Sequence, residues 1–180
     1  MDKETNKKVL QDKIDQLNKE AWELRVYDSA KSLELSVESV KLSRDINYHS
    51  GLAHGLKTLG FSYIRLSKNN EALPLLQEAL AHFEALNDLR GQAVTYGYMG
   101  IIQRNWGDFG IALELFFKAL ELSEQTEFKE NAGTDYYQLG VTYKYLGNFE
   151  KALDSLYKSL SIFREIKNRL FDLMHELFIV

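Results

Sequence analysis

The doublets Leu59-Gly60, Met99-Gly100 and Leu139-Gly140 recur every 40 residues, and self-similarity at that interval commits a chain to a repeat architecture. The rest of the unit keeps step without a gap. Tyr63 and Tyr143 match with Gln103 between them, followed by Gly107 and Gly147 and by the alanines Ala72, Ala112 and Ala152. Beyond these come Leu76, Phe116 and Leu156, then Ala79, Ala119 and Ser159, then Leu80, Leu120 and Leu160. One proline and eleven glycines among long segments of 3.6-residue periodicity leave little room for sheet turns, so the expected class is all-α.

Small residues at constant offsets let two antiparallel helices approach closely while large apolar residues fill the gaps. Each unit therefore reads as a helix A, a short turn and a helix B, with Gly60 expected against Ala72. Lys68-Asn69-Asn70, Gly107-Asp108 and Gly147-Asn148 supply a C-cap glycine or an Asn/Asp N-cap at the turns. Pro74 is expected near the first turn of its helix, where its missing N–H costs least.

Leu139-Gly140-Val141-Thr142-Tyr143-Lys144-Tyr145-Leu146-Gly147-Asn148-Phe149-Glu150-Lys151-Ala152-Leu153 resembles the tetratricopeptide signature: Leu-Gly, Tyr three later, Gly-Asn-Phe, then Ala-Leu. That family's usual period is about 34, so the unit resembles an extended variety, with Phe83 and Phe163 lying past the usual end of helix B. HEAT-type repeats share the longer period but lack this Gly and Ala arrangement. The resemblance implies a right-handed superhelical solenoid of antiparallel helix pairs. Its expected divisions are a degenerate N-terminal capping repeat over 1–50, repeats over 51–90, 91–130 and 131–169, and the start of a further helix over 170–180. In the first division Ser32-Leu33-Glu34-Leu35 and Ser39-Val40-Lys41-Leu42 match later helices B, while the helix A stripe Ile14, Leu17, Ala21 and Leu24 runs about two residues out of register, as terminal repeats commonly do. The apolar run Leu170, Phe171, Leu173, Met174, Leu177, Phe178, Ile179 and Val180 is expected either to continue into a longer protein or to form a self-association edge; a homo-oligomer seam would use Leu173, Leu177 and Val180.

Composition narrows the function classes. The 180 residues are 45% hydrophobic and carry a net charge of −4, enough apolar content for a core and no electrostatic footprint for nucleic acid or an anionic membrane surface. There is no cysteine, which excludes disulfides, thiolate metal sites and a cysteine nucleophile. The polar N-terminus and the lack of an apolar run of about 20 residues argue for a cytoplasmic protein. His49, His54, His82 and His175 have no metal-ligand spacing, and Gly97 and Gly100 follow no strand, so neither a metal, a nucleotide cofactor nor a catalytic constellation is expected.

In the resembled family partners bind along the concave face lined by helices A. With Ala53, Ala93 and Gly133 as position 1, a wheel at about 100° per residue places positions 4, 7, 8 and 11 toward helix B and positions 2, 5, 9, 12 and 13 opposite. Those opposite positions hold His54, Lys57, Phe61, Ile64 and Arg65; Val94, Gly97, Ile101, Arg104 and Asn105; and Thr134, Tyr137, Val141, Lys144 and Tyr145. They contain no Asp or Glu but include Lys57, Arg65, Arg104 and Lys144, which points to a protein or peptide partner with acidic and hydrophobic side chains. The competing reading packs Phe61, Ile64, Ile101 and Val141 between neighbouring helices and leaves the cations as solvated rim. The family's carboxylate clamp for chaperone tails needs Asn at position 9, where Phe61, Ile101 and Val141 stand, and only Lys57 matches it.

The long unit with a degenerate start, Leu17-Asn18-Lys19-Glu20-Ala21-Trp22-Glu23-Leu24-Arg25, is similar to repeat regions preceding output domains of bacterial signalling proteins such as cyclases, diguanylate cyclases and histidine kinases. That similarity implies a sensory, scaffolding or dimerisation part of a signalling protein. A free-standing adaptor and a repeat domain regulating a response regulator or phosphatase are the alternatives.

Overall fold

The computed structural model describes residues 3–166, and every regular element among them is an α-helix: α1 (Lys3–Leu24), α2 (Ser29–Asp45), α3 (His49–Arg65), α4 (Asn69–Ala85), α5 (Leu89–Trp106), α6 (Phe109–Gln125), α7 (Lys129–Tyr145) and α8 (Phe149–Glu165). From α2 onward a helix begins every 20 residues, so the sequence period of 40 is two helix-plus-turn units of equal length. The turns share one backbone solution. Asn47, Ser67, Asn87, Gly107, Glu127 and Gly147 all have φ between 51° and 88°, and the next amide bonds back to the carbonyl five residues earlier. Examples are Tyr48 N–H to Ser43 O at 2.8 Å and Asn148 N–H to Tyr143 O at 3.0 Å, the Schellman closure.

Three details differ from the sequence expectation. Asn69 and Asn70 already belong to α4, and the left-handed residue of that turn is Ser67. Asp108 occupies an N-cap without a side-chain bond, whereas Asp28 and Asn148 accept from the amides of Lys31 and Lys151 at 3.0 and 3.2 Å. Pro74 is the sixth residue of α4, one turn deeper than expected; its ring faces solvent and it forgoes one bond of the ladder.

The chain divides into two compact units, Met1–Asp88 and Leu89–Val180. In the first, Leu52, Ala53, Leu56 and Leu59 of α3 close over Val40 of α2 and Ala79 and Phe83 of α4. In the second, Leu139 of α7 joins Ala112, Phe116 and Leu120 of α6. Within each unit sequential helices pack antiparallel. Gly60 approaches Leu76 and the Ala72 carbonyl, and Gly140 approaches Leu156 and the Ala152 carbonyl. The partner nearest each glycine is the large residue one turn past the alanine, and at Gly100 the nearest atoms all belong to the Phe116 ring. The alanines Ala72, Ala112 and Ala152 are buried as expected.

The α1/α2 pair is built differently. Ser32, Ser36, Ser39 and Ser43 are fully buried at places where later helices B carry Ala, Leu or Phe and, at Ser123 and Ser159, serine; the first three are hydrogen-bonded, while Ser43 Oγ has no partner among the described residues. Ser32 Oγ donates to Ala21 O at 2.7 Å, Ser39 Oγ to Asn18 Oδ1 at 2.6 Å, and Asn18 Nδ2 to Gly51 O at 2.9 Å. A polar seam thus ties α1, α2 and α3 in place of an apolar one. The apolar segment 170–180, with Leu173, Leu177 and Val180, lies outside the described residues.

Candidate functional site

The helix A faces were expected to be open. In unit Met1–Asp88, α1 and α3 run side by side and frame a cleft of about 500 Å³ walled by Asp15, Asn18, Trp22, Tyr48, His54 and Lys57. Lys57 is 8% exposed, so its side chain forms the floor of this cleft and not a solvated rim. The wheel omits the reason: α1 crosses beside it, and the Trp22 indole centroid lies 4.0 Å from Lys57 Nζ. Arg25 stacks on the same indole at 3.7 Å. No hydrogen bond or ion pair joins Lys57 to another described residue; Phe83 faces it at 5.9 Å. Burial lowers the Lys57 pKa to about 8, with Asp88 opposing the shift and Arg25 adding to it.

His54 stands beside it with Nε2 3.8 Å from Asp88 Oδ2 and its ring edge-on to Phe83 at 5.1 Å. Burial and, second, the Lys57 charge depress its pKa to about 4, so at neutral pH it is an uncharged imidazole. Phe61 is half-buried and Arg65 is exposed.

In unit Leu89–Val180, α5 and α7 carry the other groups. Arg104 is half-buried, donates from Nη1 to Gln138 Oε1 at 2.6 Å, and lies 5.6 Å from the Phe116 ring. Burial lowers its pKa, opposed by Tyr145 and Tyr137, and it makes no ion pair with a described carboxylate. Tyr137 is half-buried and its pKa is raised by burial against the lowering influence of Arg104. Tyr145 is 66% exposed and stacks on Phe109 at 5.7 Å. Asn105 and Lys144 are exposed, while Ile101 and Val141 are half-buried; Ile101 packs onto the α6/α7 core. Lys57 and Arg65 therefore belong to one unit and Arg104 and Lys144 to the other.

Sequence reasoning missed four residues. Trp22, Arg25 and Asn18 sit in the first division, read only as a cap, although Trp-x-x-Arg ahead of a turn was a visible aromatic–cation pair. Asp135 occupies the register of Thr95 and Gly55, is 1% exposed, and accepts from Ser123 Oγ at 2.9 Å and Asn131 Nδ2 at 2.8 Å. Burial raises its pKa well above the ordinary carboxylate range against those two bonds. Among the described residues no group of three His, Cys, Asp or Glu could hold a metal ion, and no helix is long and apolar enough to cross a membrane.

None of the curated proteins matches the sequence. Solved structures do match the fold. A Rap protein complexed with competence and sporulation factor aligns with TM-score 0.83 at 18% identity, over 93% of this chain and 47% of that one. Aspartyl phosphate phosphatase F from Bacillus subtilis aligns with TM-score 0.77 at 14% identity, over 92% and 44%, and BtubC from P. vanneervenii with TM-score 0.65 at 20% identity, over 78% and 58%. The chain thus spans about half the length of these structures. A family model for the tetratricopeptide repeat matches residues 51–125 and 91–165, the span in which the Leu-Gly, Ala and turn positions recur. The chain belongs to the tetratricopeptide repeat family.

Proposed function

We propose that this chain is a non-catalytic interaction module that takes a protein or peptide partner bearing acidic and hydrophobic side chains on its helix A faces, as part of a cytoplasmic signalling or scaffolding protein. The observation that carries the reading is Arg104. A guanidinium left without a carboxylate, held flat by Gln138 and flanked by Tyr137 and Tyr145, offers its remaining donors to a bidentate acceptor beside an aromatic surface. Two cations on other faces are spent within the chain, Arg44 with Glu78 at 2.8 Å and Lys158 with Asp154 at 2.8 Å. The Rap structure of similar fold, complexed with competence and sporulation factor, supports a binding role for such an array.

Selection of random peptides against the intact chain tests this. Enrichment of Asp or Glu near aromatic or aliphatic residues is expected, with binding that weakens as salt rises and drops in Arg104→Gln at unchanged helix content. Peptides lacking acidic residues, or cross-linking confined to α4, α6 or α8, would refute the reading.

A second reading, dimerisation, rests on α8, where Phe149, Leu153 and Tyr157 are 65%, 44% and 55% exposed at successive turns of one face. Sedimentation equilibrium of the chain and of Leu153→Glu decides it: a monomer at all concentrations removes that reading.

A further inference from the structure

We infer that the α1/α3 cleft is a receptor for a carboxylate of the partner, with Lys57 as its floor and Trp22 as the wall against which that carboxylate lodges. The inference rests on the helix A reading only in placing the partner on this face. A buried ammonium is costly unless its donors are satisfied, and Lys57 is buried without one hydrogen bond to a described residue; its stem is packed and its Nζ is held over Trp22 at 4.0 Å. The nearby groups leave those donors available. His54 is neutral and turned toward Asp88 at 3.8 Å, and Asp88 lies beyond ion-pair distance of Lys57. Arg25 on the same indole adds positive charge, and the two acids nearby are turned to other groups, Asp88 to His54 and Asp15 to Tyr48.

The cleft, at about 500 Å³, admits a carboxylate together with the chain that bears it. Asn18 Nδ2 gives one of its two hydrogens to Gly51 O and its Oδ1 accepts from Ser39, which fixes the amide on the cleft wall. Asp15, on the cleft wall and accepting from Tyr48 Oη at 3.1 Å, opposes a dianion such as phosphate more than a singly charged carboxylate. The α1/α2 pair is thus half of a binding site.

The test uses the whole chain with Trp106→Phe, which leaves Trp22 as the one remaining tryptophan of two. N-acetyl-glutamate N-methylamide supplies a side-chain carboxylate and N-acetyl-leucine a terminal one; each is titrated at ionic strength held constant with chloride. Trp22 fluorescence and the Lys57 Hε/Cε resonance are followed. A saturable change in both signals with at least one probe is expected, and whichever probe binds identifies the carboxylate source. Affinity should fall by about tenfold or more in Lys57→Met, the loss typical of a charge-assisted bond, and stay unchanged in Lys41→Gln, an exposed cation of α2. The inference is overturned by no response beyond chloride, by equal binding in Lys57→Met, or by inorganic phosphate outcompeting both probes. If the small carboxylates fail while selected acidic peptides still bind and depend on Arg104, the pocket falls and the broader reading stands. Carboxylate binding without any selectable peptide would have the opposite meaning.

Discussion

Asp135 on α7 accepts a hydrogen bond from Ser123 on α6 across 2.9 Å, and both side chains are sealed from solvent. Asn131 adds a second donor one turn away, but no cation pairs with the carboxylate among the described residues. Two hydrogen bonds do not offset the desolvation of a buried anion, so the folded state favours the protonated acid and the pKa rises.

The direction of the pH effect follows from proton linkage. A carboxyl whose folded pKa exceeds its unfolded value binds more protons when folded, so its contribution is full below the unfolded pKa of about 4 and is lost as pH rises through the folded pKa. Asp135→Asn removes the titration and keeps the shape. As pH rises from 4, the urea midpoint of the variant should gain on the wild type until the folded pKa is passed. A constant difference from pH 4 to 8 would show that Asp135 stays ionised in the fold.

The close glycines differ in what opposes them. A Cβ at Gly140 would sit 2.7 Å from Leu156 Cγ and 3.1 Å from the Ala152 carbonyl, which cannot rotate away, whereas at Gly100 the obstruction is the Phe116 ring at 2.6 Å. Gly140→Ala should destabilise by about 1–3 kcal/mol through overpacking. Chemical denaturation that finds the variant as stable as the wild type would mean the α7/α8 approach is looser than drawn.

The turns carry correctable strain. Glu127 holds a left-handed φ of 51° at a solvent-exposed site where Gly107 and Gly147 stand in the two turns 20 residues to either side. Glu127→Gly should stabilise by about 0.5–1 kcal/mol, less the added freedom it gives the unfolded chain. Thermal melts should move up for Glu127→Gly and down for Gly147→Ala; movement in the reverse sense would remove the strain argument.

Those turns also show what a sequence reveals. Gly107 and Gly147 advertise a left-handed turn, and the Leu-Gly and Ala positions advertise helix pairs, because only small residues satisfy those geometries. Ser67 and Glu127 adopt the same conformation without advertising it, since the Schellman bonds and the packed helices on either side impose it. The half-period of 20 was hidden because helices A and B pack different faces and so differ in composition. The candidate site was legible in its charge asymmetry and not in its depth. A wheel for α3 alone points Lys57 away from α4, but it contains no α1, and Trp22 turns an open position into a floor. Asp135 and the serine seam went unread because polar residues at helical spacing read as solvent-facing until their neighbours are known.

Lys57 and Asp135 titrate in opposite senses, which makes the buried ammonium separately testable. The folded pKa of Lys57 is lowered to about 8 from 10.5, chiefly by burial, so between those values the unfolded chain binds more protons than the folded one and stability rises with pH. Below pH 8 the folded protein carries the full desolvation cost of a charged amine. Lys57→Met keeps the stem against Trp22 and removes the charge, so its advantage over the wild type should be largest near pH 7 and shrink toward pH 10.5. Subtracting the two urea midpoints at each pH cancels the tyrosines, which titrate in both proteins. A carboxylate ligand in the cleft should raise the wild-type curve below pH 8 by supplying the counter-charge, so that its climb between pH 8 and 10.5 flattens, and leave Lys57→Met unaffected. If the midpoint difference does not vary between pH 7 and 10.5, Lys57 is hydrated in the folded state, and the cleft floor is not the desolvated cation that its contact with Trp22 implies.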